Sequence, residues 1–260
     1  MLWKGLINSI LEKGIMRNLS LIIFLFFALK IQGQTEFEAQ KNFIKIKDIL
    51  TTENSSKNLI TKLNSLKLTF KDQINNNVYD FLNRDIDFGY NHKRIRVIFD
   101  IWQYQIDIIT KNDSIYLKSI KTEYFKKYSY SSIDENELKG YLLKRNTFYQ
   151  SHKMIKQLLQ EISLNETFAM RCGDGLPYTK EGLKIKSFVD EEDIESLKIL
   201  LSNFNCEKQA FAVEGFSMLS KNEVEIPNEC NILIKHIIER NAELQICSGC
   251  ITGLVEKIYE

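Results

Sequence analysis

The residues of this 260-residue chain whose type and spacing can do chemistry are its five cysteines, Cys172, Cys206, Cys230, Cys247 and Cys250, all between residue 172 and residue 250. Cys247-Ser248-Gly249-Cys250 is a CxxC, the spacing of a redox pair or of half a zinc site. Zinc needs four ligands, and neither a second CxxC nor an HxxxH pair accompanies it, so no metal and no cofactor are expected. The CxxC also lies within a helical pattern rather than at a strand-to-helix junction, which weakens a thioredoxin-like reading. Cys206, Cys230 and Cys247 fall at core-facing positions of successive helical patterns. Buried free thiols are therefore the first expectation, a structural disulfide the second, and thiol redox chemistry through Cys247 and Cys250 the third.

The other conspicuous stretch is CGDGLPYTKEG, Cys172 to Gly182, where three glycines and Pro177 mark turns. It lacks the GxxxxGK[ST] of a phosphate loop, and Asp174 lacks the alternating acidic ligands of a calcium loop. It reads first as a connector and second as a binding loop, with Cys172, Asp174, Tyr178 and Lys180 as the candidate contacts. His92, His152 and His236 belong to no recognisable motif, and no GxSxG elbow, HExxH or nucleotide fingerprint appears, so the catalytic residues are unknown. Phe99, Trp102, Tyr104 and Tyr116, with Arg94 and Arg96, can line a groove on a sheet, but strand aromatics at such spacing are first expected to pack in the core.

The elements that position these residues follow from hydrophobic periodicity. Leu59, Ile60, Leu63 and Leu66 mark a helix after a less regular apolar stretch from Phe37 to Leu50, and Leu66, Leu68 and Phe70 alternate like a short strand. Ile95, Val97, Phe99 and Ile101 alternate before the parity switches to Trp102, Tyr104, Ile106 and Ile108. That switch predicts a β-bulge, a bend or a crossing between sheets. Residues 102–109 and 115–121 read as an antiparallel hairpin around Lys111–Ser114, giving a sheet of three or four strands. Ser132-Ile133-Asp134-Glu135 fits a capping box that starts a long helix, whose apolar face runs from Leu138 to Ile162.

Four helical patterns then follow: one capped at Asp190 with the acidic EED in its first turn, one from Cys206 to Leu219, one after Pro227, and one carrying Leu244, Cys247, Ile251, Leu254 and Ile258. The run DIESLKILLSNFNCEKQAFAVEGFSML at 193–219, with Ala210-Phe211-Ala212-Val213-Glu214-Gly215-Phe216 in its second helix, resembles a HEAT-type helical repeat. Residues 228–258 follow the same outline. The resemblance implies a stacked helical module used for protein contacts and carries over no catalytic residue. The expected fold is α+β: N-terminal helices, a small antiparallel sheet and a long helix at 34–165, a connector at 166–182, and an all-α, HEAT-like domain of helical hairpins at 183–260.

Residues 19–29 form an unbroken apolar run of 11, short of the roughly 20 needed to span a bilayer. With Arg17 before it and a polar stretch ending at Gly33 after it, the run has the layout of a secretory signal peptide over 1–33, with Met16 as the expected start and no stable membrane anchor after cleavage. The 35 basic and 34 acidic residues cancel to +1, which argues against nucleic acid as a partner. The reading that results is an exported, periplasmic or secreted, non-enzymatic binding or scaffolding protein with a protein partner. An enzyme with its site near residues 172–182, and a thiol-redox or metal-binding envelope protein, are the alternatives.

Overall fold

The computed structural model describes residues 36–66, 69–70, 73–74, 77–99, 102–122 and 128–259. The signal-peptide layout at 1–33 lies outside them. Among the described residues, no helix is long and apolar enough to cross a membrane.

A five-stranded antiparallel meander forms the middle of the molecule: β3 (Asn77–Asp85), β4 (Tyr90–Phe99), β5 (Trp102–Lys111), β6 (Ser114–Thr122) and β7 (Ser129–Ile133), in that spatial order. Before it come α1 (36–52), α2 (Ser56–Ser65) and a two-stranded ribbon of β1 (Thr69–Phe70) and β2 (Gln73–Ile74). One sheet face is apolar because Ile95, Ile106 and Ile120 sit in register across three strands. Ala39, Phe43, Ile46 and Leu50 of α1, together with Leu59 and Leu63 of α2, cover that face. Trp102 and Tyr104 belong to this core and Tyr104 donates its hydroxyl to the Ala39 carbonyl at 2.9 Å, so these strand aromatics pack rather than line a groove.

Phe99 pairs with Trp102, and the parity switch there marks a hairpin between two strands that bury the same face. Reversing direction after two residues changes which parity points inward, so no bulge or sheet crossing is needed. The bulges lie elsewhere, at Asp80/Leu82 and Ile109/Thr110.

The opposite face carries Arg84, His92, Arg94, Gln105 and Asp107, all buried. It is covered by α3 (Glu135–Phe148) and α4 (Ile155–Ile162) and by the helices that follow. The continuous helix expected over 132–162 is two helices, because the Asn146 side chain captures the returning chain. Its carbonyl oxygen accepts from the Lys153 amide and the Ser151 hydroxyl, and its amide donates to the Lys153 carbonyl, each at 2.9 Å. Gln150 turns the chain with φ 49°. The cap of α3 is Asp134, which accepts from the amides of Asn136 and Glu137. The exposed His152 sits in the break rather than on an apolar stripe.

The C-terminal part holds α5 (Lys180–Asp190), α6 (Ile194–Leu201), α7 (Cys206–Lys221) and α8 (Asn228–Arg240), then a hairpin of β8 (Leu244–Ser248) and β9 (Ile251–Glu256). This overturns the α+β reading with an all-α, HEAT-like C-terminal domain: a central sheet lies between helices, and the expected last helix is a β-hairpin. The three-four spacing of Leu244, Cys247, Ile251 and Leu254 imitated a helical face. Gly249 and Gly253 nevertheless adopt φ of 60° and 84°, outside the helical region, and Ile246, Ile251, Thr252 and Val255 are β-branched. The helix expected to start in the EED run begins after it: Asp193 is the N-cap, and Glu191 and Glu192 form the turn out of α5.

Gly182, in the first turn of α5, faces the Met170 carbonyl so closely that an added Cβ would overlap backbone. Alanine inside a helix ordinarily gains about 1 kcal/mol over glycine. Here Gly182→Ala is expected to lose about 2 kcal/mol instead, since backbone cannot rotate out of the overlap. That corresponds to a fall in melting temperature of about 4–8 °C, readable by calorimetry.

Candidate functional site

Two buried charge networks and one open cleft are the places where chemistry is concentrated. The first network centres on Asp87, in the β3–β4 turn, at φ 88° and followed by Phe88 at 56° and Gly89 at 80°. A non-glycine residue there is strained and persists only where its surroundings hold it. Asp87 is held by four groups. Oδ1 accepts from Arg240 Nη1 at 2.6 Å and from His236 Nε2 at 2.9 Å, while Oδ2 accepts from Tyr149 Oη at 3.1 Å and Arg145 Nε at 3.3 Å. Burial alone would raise its pKa. Arg240, the His236 hydrogen bond and Arg145 outweigh that and hold the carboxyl well below the usual range.

The second network runs through the covered sheet face. Glu207, at the start of α7, accepts from Arg84 Nη1 at 2.7 Å and from the Gln245 amide at 2.9 Å. Arg84 Nε lies 3.3 Å from His92 Nδ1, and His92 Nε2 lies 2.8 Å from Asp107 Oδ1. Since the guanidinium can only donate, Nδ1 is the acceptor and the His92 proton sits on Nε2, donated to Asp107. Asp107 also accepts from Arg94 Nε at 2.7 Å and Gln105 Nε2 at 2.6 Å. Burial pushes the His92 pKa down to about 4, against the hydrogen bond to Asp107 that works to raise it. The second network is sealed from solvent and the first reaches it mainly through His236, whose side chain is 33% exposed. Arg84, His92, Asp87 and Asp107 are each at most 2% exposed, so these groups hold the fold together rather than meet a substrate.

The open cleft is where a short extended segment and the C-terminal hairpin meet. Phe168 bridges Ile246 in parallel, donating its amide to the Gln245 carbonyl at 2.7 Å. The chain then turns through Gly173 and Gly175, at φ 95° and 71°, and returns so that the Thr179 amide meets the Met170 carbonyl at 3.0 Å. Thr179 caps α5 through the Gly182 amide at 2.9 Å and donates its hydroxyl to the Ala169 carbonyl at 2.7 Å. Cys172 and Cys247 are joined in a disulfide across 75 residues, with Cα atoms 6.0 Å apart, and the Gly173 amide donates to the Gly249 carbonyl at 2.9 Å beside it. Cys250 is a free, exposed thiol at the hairpin tip, 3.1 Å from Asp174 Oδ1. Donation of its S–H to that carboxylate raises its pKa.

Next to the disulfide is a cavity of about 350 Å³ lined by Cys172 and Cys247 and by Glu166, Thr167, Lys180 and Glu181. Lys208 bridges the two acids, at 3.2 Å from Glu166 Oε1 and 2.6 Å from Glu181 Oε2.

All six site residues expected from the sequence thus fall at one end of the molecule. Cys172 and Cys247 are bonded, Cys250 meets Asp174, Lys180 is exposed on the cavity, and Tyr178 stacks beneath Arg171, whose guanidinium carbon is 4.0 Å from the ring centroid. Cys247 and the CxxC lie on a strand and its turn, not on a helical face. Cys206 and Cys230 are the buried free thiols the helical pattern calls for. Sequence reasoning missed Glu166, Glu181 and Lys208, which no local motif joins, and the Asp87 hub, whose only sequence signal is the turn-like Asp87-Phe88-Gly89. Among the described residues, no group of three or more His, Cys, Asp or Glu is arranged to hold a metal ion. Comparison with protein-family models, with curated proteins and with solved structures finds no match.

Removing the clamp with Cys172→Ser/Cys247→Ser frees a 75-residue separation in the unfolded chain. A loss of about 2–4 kcal/mol is expected on chain-entropy grounds, measured as a lower urea midpoint with a steeper slope, because the unfolded chain without the cross-link exposes more surface. Reductant should reproduce the shift in the wild type and leave the double variant unmoved.

Proposed function

We propose that the protein is an exported binding protein whose ligand-facing end is the disulfide-clamped pairing of residues 168–182 with the β8–β9 hairpin. The observation that carries this is the Cys172–Cys247 bond: such bonds form and persist in oxidising compartments, in agreement with the signal-peptide layout of the first 33 residues. The clamp fixes two loops that would otherwise be mobile, and loops held on a rigid scaffold are where recognition is commonly placed. Leu176 and Ile251 are exposed on these segments, and Leu183 on the helix that follows, beside mixed charges, a composition suited to a protein partner. The test is cell fractionation combined with a photo-crosslinking residue at Ile251. Recovery in the envelope or medium, oxidised at Cys172 and Cys247 and linked to one reproducible protein, is the expected result. A cytosolic, fully reduced protein would sink the reading.

A second reading, an enzyme, draws on one observation: the cavity is open and lined by Glu166, Lys180 and Glu181, and Lys208 pairs with both acids. Both carboxylates are engaged by Lys208, which suits holding a polar ligand better than exchanging protons with one. A small-molecule binding screen read by thermal shift, repeated on Lys208→Met, separates the two readings, because a partner bound at Ile251 does not need Lys208.

A further inference from the structure

We propose that Cys250 is the attacking thiol of an internal disulfide exchange, which moves the bond from Cys172–Cys247 to Cys247–Cys250 and unclamps the 172–178 loop. Three features carry this. Cys250 is exposed and unpaired; it stands three residues from a bonded cysteine; and Gly249, at φ 60°, folds the hairpin so that the CxxC doubles back at its tip. The released partner is the loop residue Cys172, whose remaining ties to the hairpin tip are the Gly173 to Gly249 hydrogen bond and the contact between Asp174 and Cys250 itself. The attack therefore breaks two of the ties at once.

The step balances without a co-reactant. Cys250 gives up its proton, its sulfur lone pair forms a bond to Cys247 Sγ, and the Cys247–Cys172 bond breaks with both electrons leaving on Cys172 Sγ. Cys172 then takes up a proton from water. Nothing is oxidised or reduced overall. Asp174 is the brake, since accepting the S–H and placing a negative charge beside it both disfavour the thiolate that attacks. Because Cys172 and Cys247 both line the cavity, exchange rebuilds its wall and couples the occupancy of that cavity to the position of the bond. This requires only that the disulfide is formed, and so stands apart from the export reading.

The experiment uses the oxidised full-length chain, purified without reductant and held between pH 6 and 9. It is quenched in acid, alkylated with a maleimide and mapped by peptide mass spectrometry. At pH 6 the label is expected on the three free thiols, Cys206, Cys230 and Cys250, and not on Cys172. As pH rises, label on Cys172 should appear together with a Cys247–Cys250 peptide, at a rate climbing roughly tenfold per pH unit while the thiol remains mostly protonated. Asp174→Asn should exchange several-fold faster and end with more of the Cys247–Cys250 bond, since it lacks the Asp174 tie to Cys250, and Cys250→Ser should show no label on Cys172 at any pH. Because the equilibrium can favour the long-range bond, Cys172→Ser is also equilibrated in glutathione buffers, where it should form the Cys247–Cys250 bond. Failure of that variant to form the bond would overturn the proposal by showing that the hairpin forbids it. So would label on Cys172 that appears equally in Cys250→Ser.

Discussion

Asp87→Asn is expected to destabilise the protein by about 3–5 kcal/mol, the range found when one member of a buried ion cluster is removed. The substitution keeps the volume of the side chain but takes away the charge that faces Arg145 and Arg240, whose side chains are 1% and 6% exposed. It also replaces one acceptor with a donor in a site where all four neighbours, Arg240, His236, Tyr149 and Arg145, donate. The effect reaches several elements, because Arg145 also donates to the Ser202 and Asn203 carbonyls, and Arg240 to Gln209 Oε1. Urea unfolding measures the loss. Replacing the carboxylate and both arginines together with apolar residues of similar size should recover much of it, since no charge is then left buried alone. If Asp87→Asn costs under 1 kcal/mol, the site is wetter than described and the hub is not holding α3 and α8 on the β3–β4 turn.

Stability should fall in two steps as pH drops, the first between about pH 6.5 and 4. An unfolded histidine titrates near 6.5, whereas burial holds His92 down to about 4. Between those values the unfolded chain binds a proton that the folded chain refuses, so stability is complete above the unfolded pKa and decreases as pH falls toward the folded one. A difference of this size corresponds to about 3 kcal/mol by pH 4. The structural reason is direct: a proton on Nδ1 would face the Arg84 Nε–H that it now accepts. The second step lies below about pH 4, where unfolded aspartates begin to protonate while Asp87 and Asp107 stay ionised in the fold, their pKa depressed by arginine neighbours against the effect of burial. This contribution too is present at higher pH and lost as pH falls. His92→Gln can keep both hydrogen bonds, accepting from Arg84 and donating to Asp107, without titrating. Chemical denaturation at pH 7, 5.5, 4.5 and 3 should show the first step in the wild type only. A flat wild-type profile from pH 7 to 4.5 would refute the assignment.

What the sequence revealed depends on whether a signal is local. Alternation along β4, β5 and β6 was readable, and the hairpin at Lys111–Ser114 lies where polar residues interrupt it. The parity change at Phe99–Trp102 does not by itself choose among a bulge, a bend and a crossing between sheets, because each changes parity alike; the antiparallel pairing of Phe99 with Trp102 shows that the chain turns back there. Cys206 to Lys221 and Asn228 to Arg240 are helices whose caps, Asn205 and Pro227, stand in the sequence. The break after Phe148 was hidden because Leu142, Tyr149 and Ile155 continue an apolar stripe while Asn146, an ordinary surface residue by type, ends the helix through its side chain. The last hairpin was hidden for the opposite reason: five apolar residues at helical spacing outweighed Gly249 and Gly253, the two positions that exclude a helix. At the candidate site, the cysteines and the glycine loop stood out by composition, but their pairing did not. Cys172 and Cys247 are 75 residues apart, and long-range contacts such as the parallel bridge between Phe168 and Ile246 and the Gly173 to Gly249 hydrogen bond bring them together.

The distance along the chain between the members of the Asp87 hub also sets when in folding it can form. Asp87 lies 58 residues from Arg145 but 153 from Arg240, whereas the meander around it is built from neighbouring strands. Contacts closed over short loops form before those that must close long ones. The sheet and its first helices are therefore expected to be in place at the rate-limiting step, with α8 arriving afterwards to complete the four bonds to Asp87. A group that gains its partners only after the barrier leaves the folding rate nearly untouched, and its loss appears in the unfolding rate. The Asp87–Arg240 contact would then act as a latch on the finished molecule, governing how long it stays folded once made.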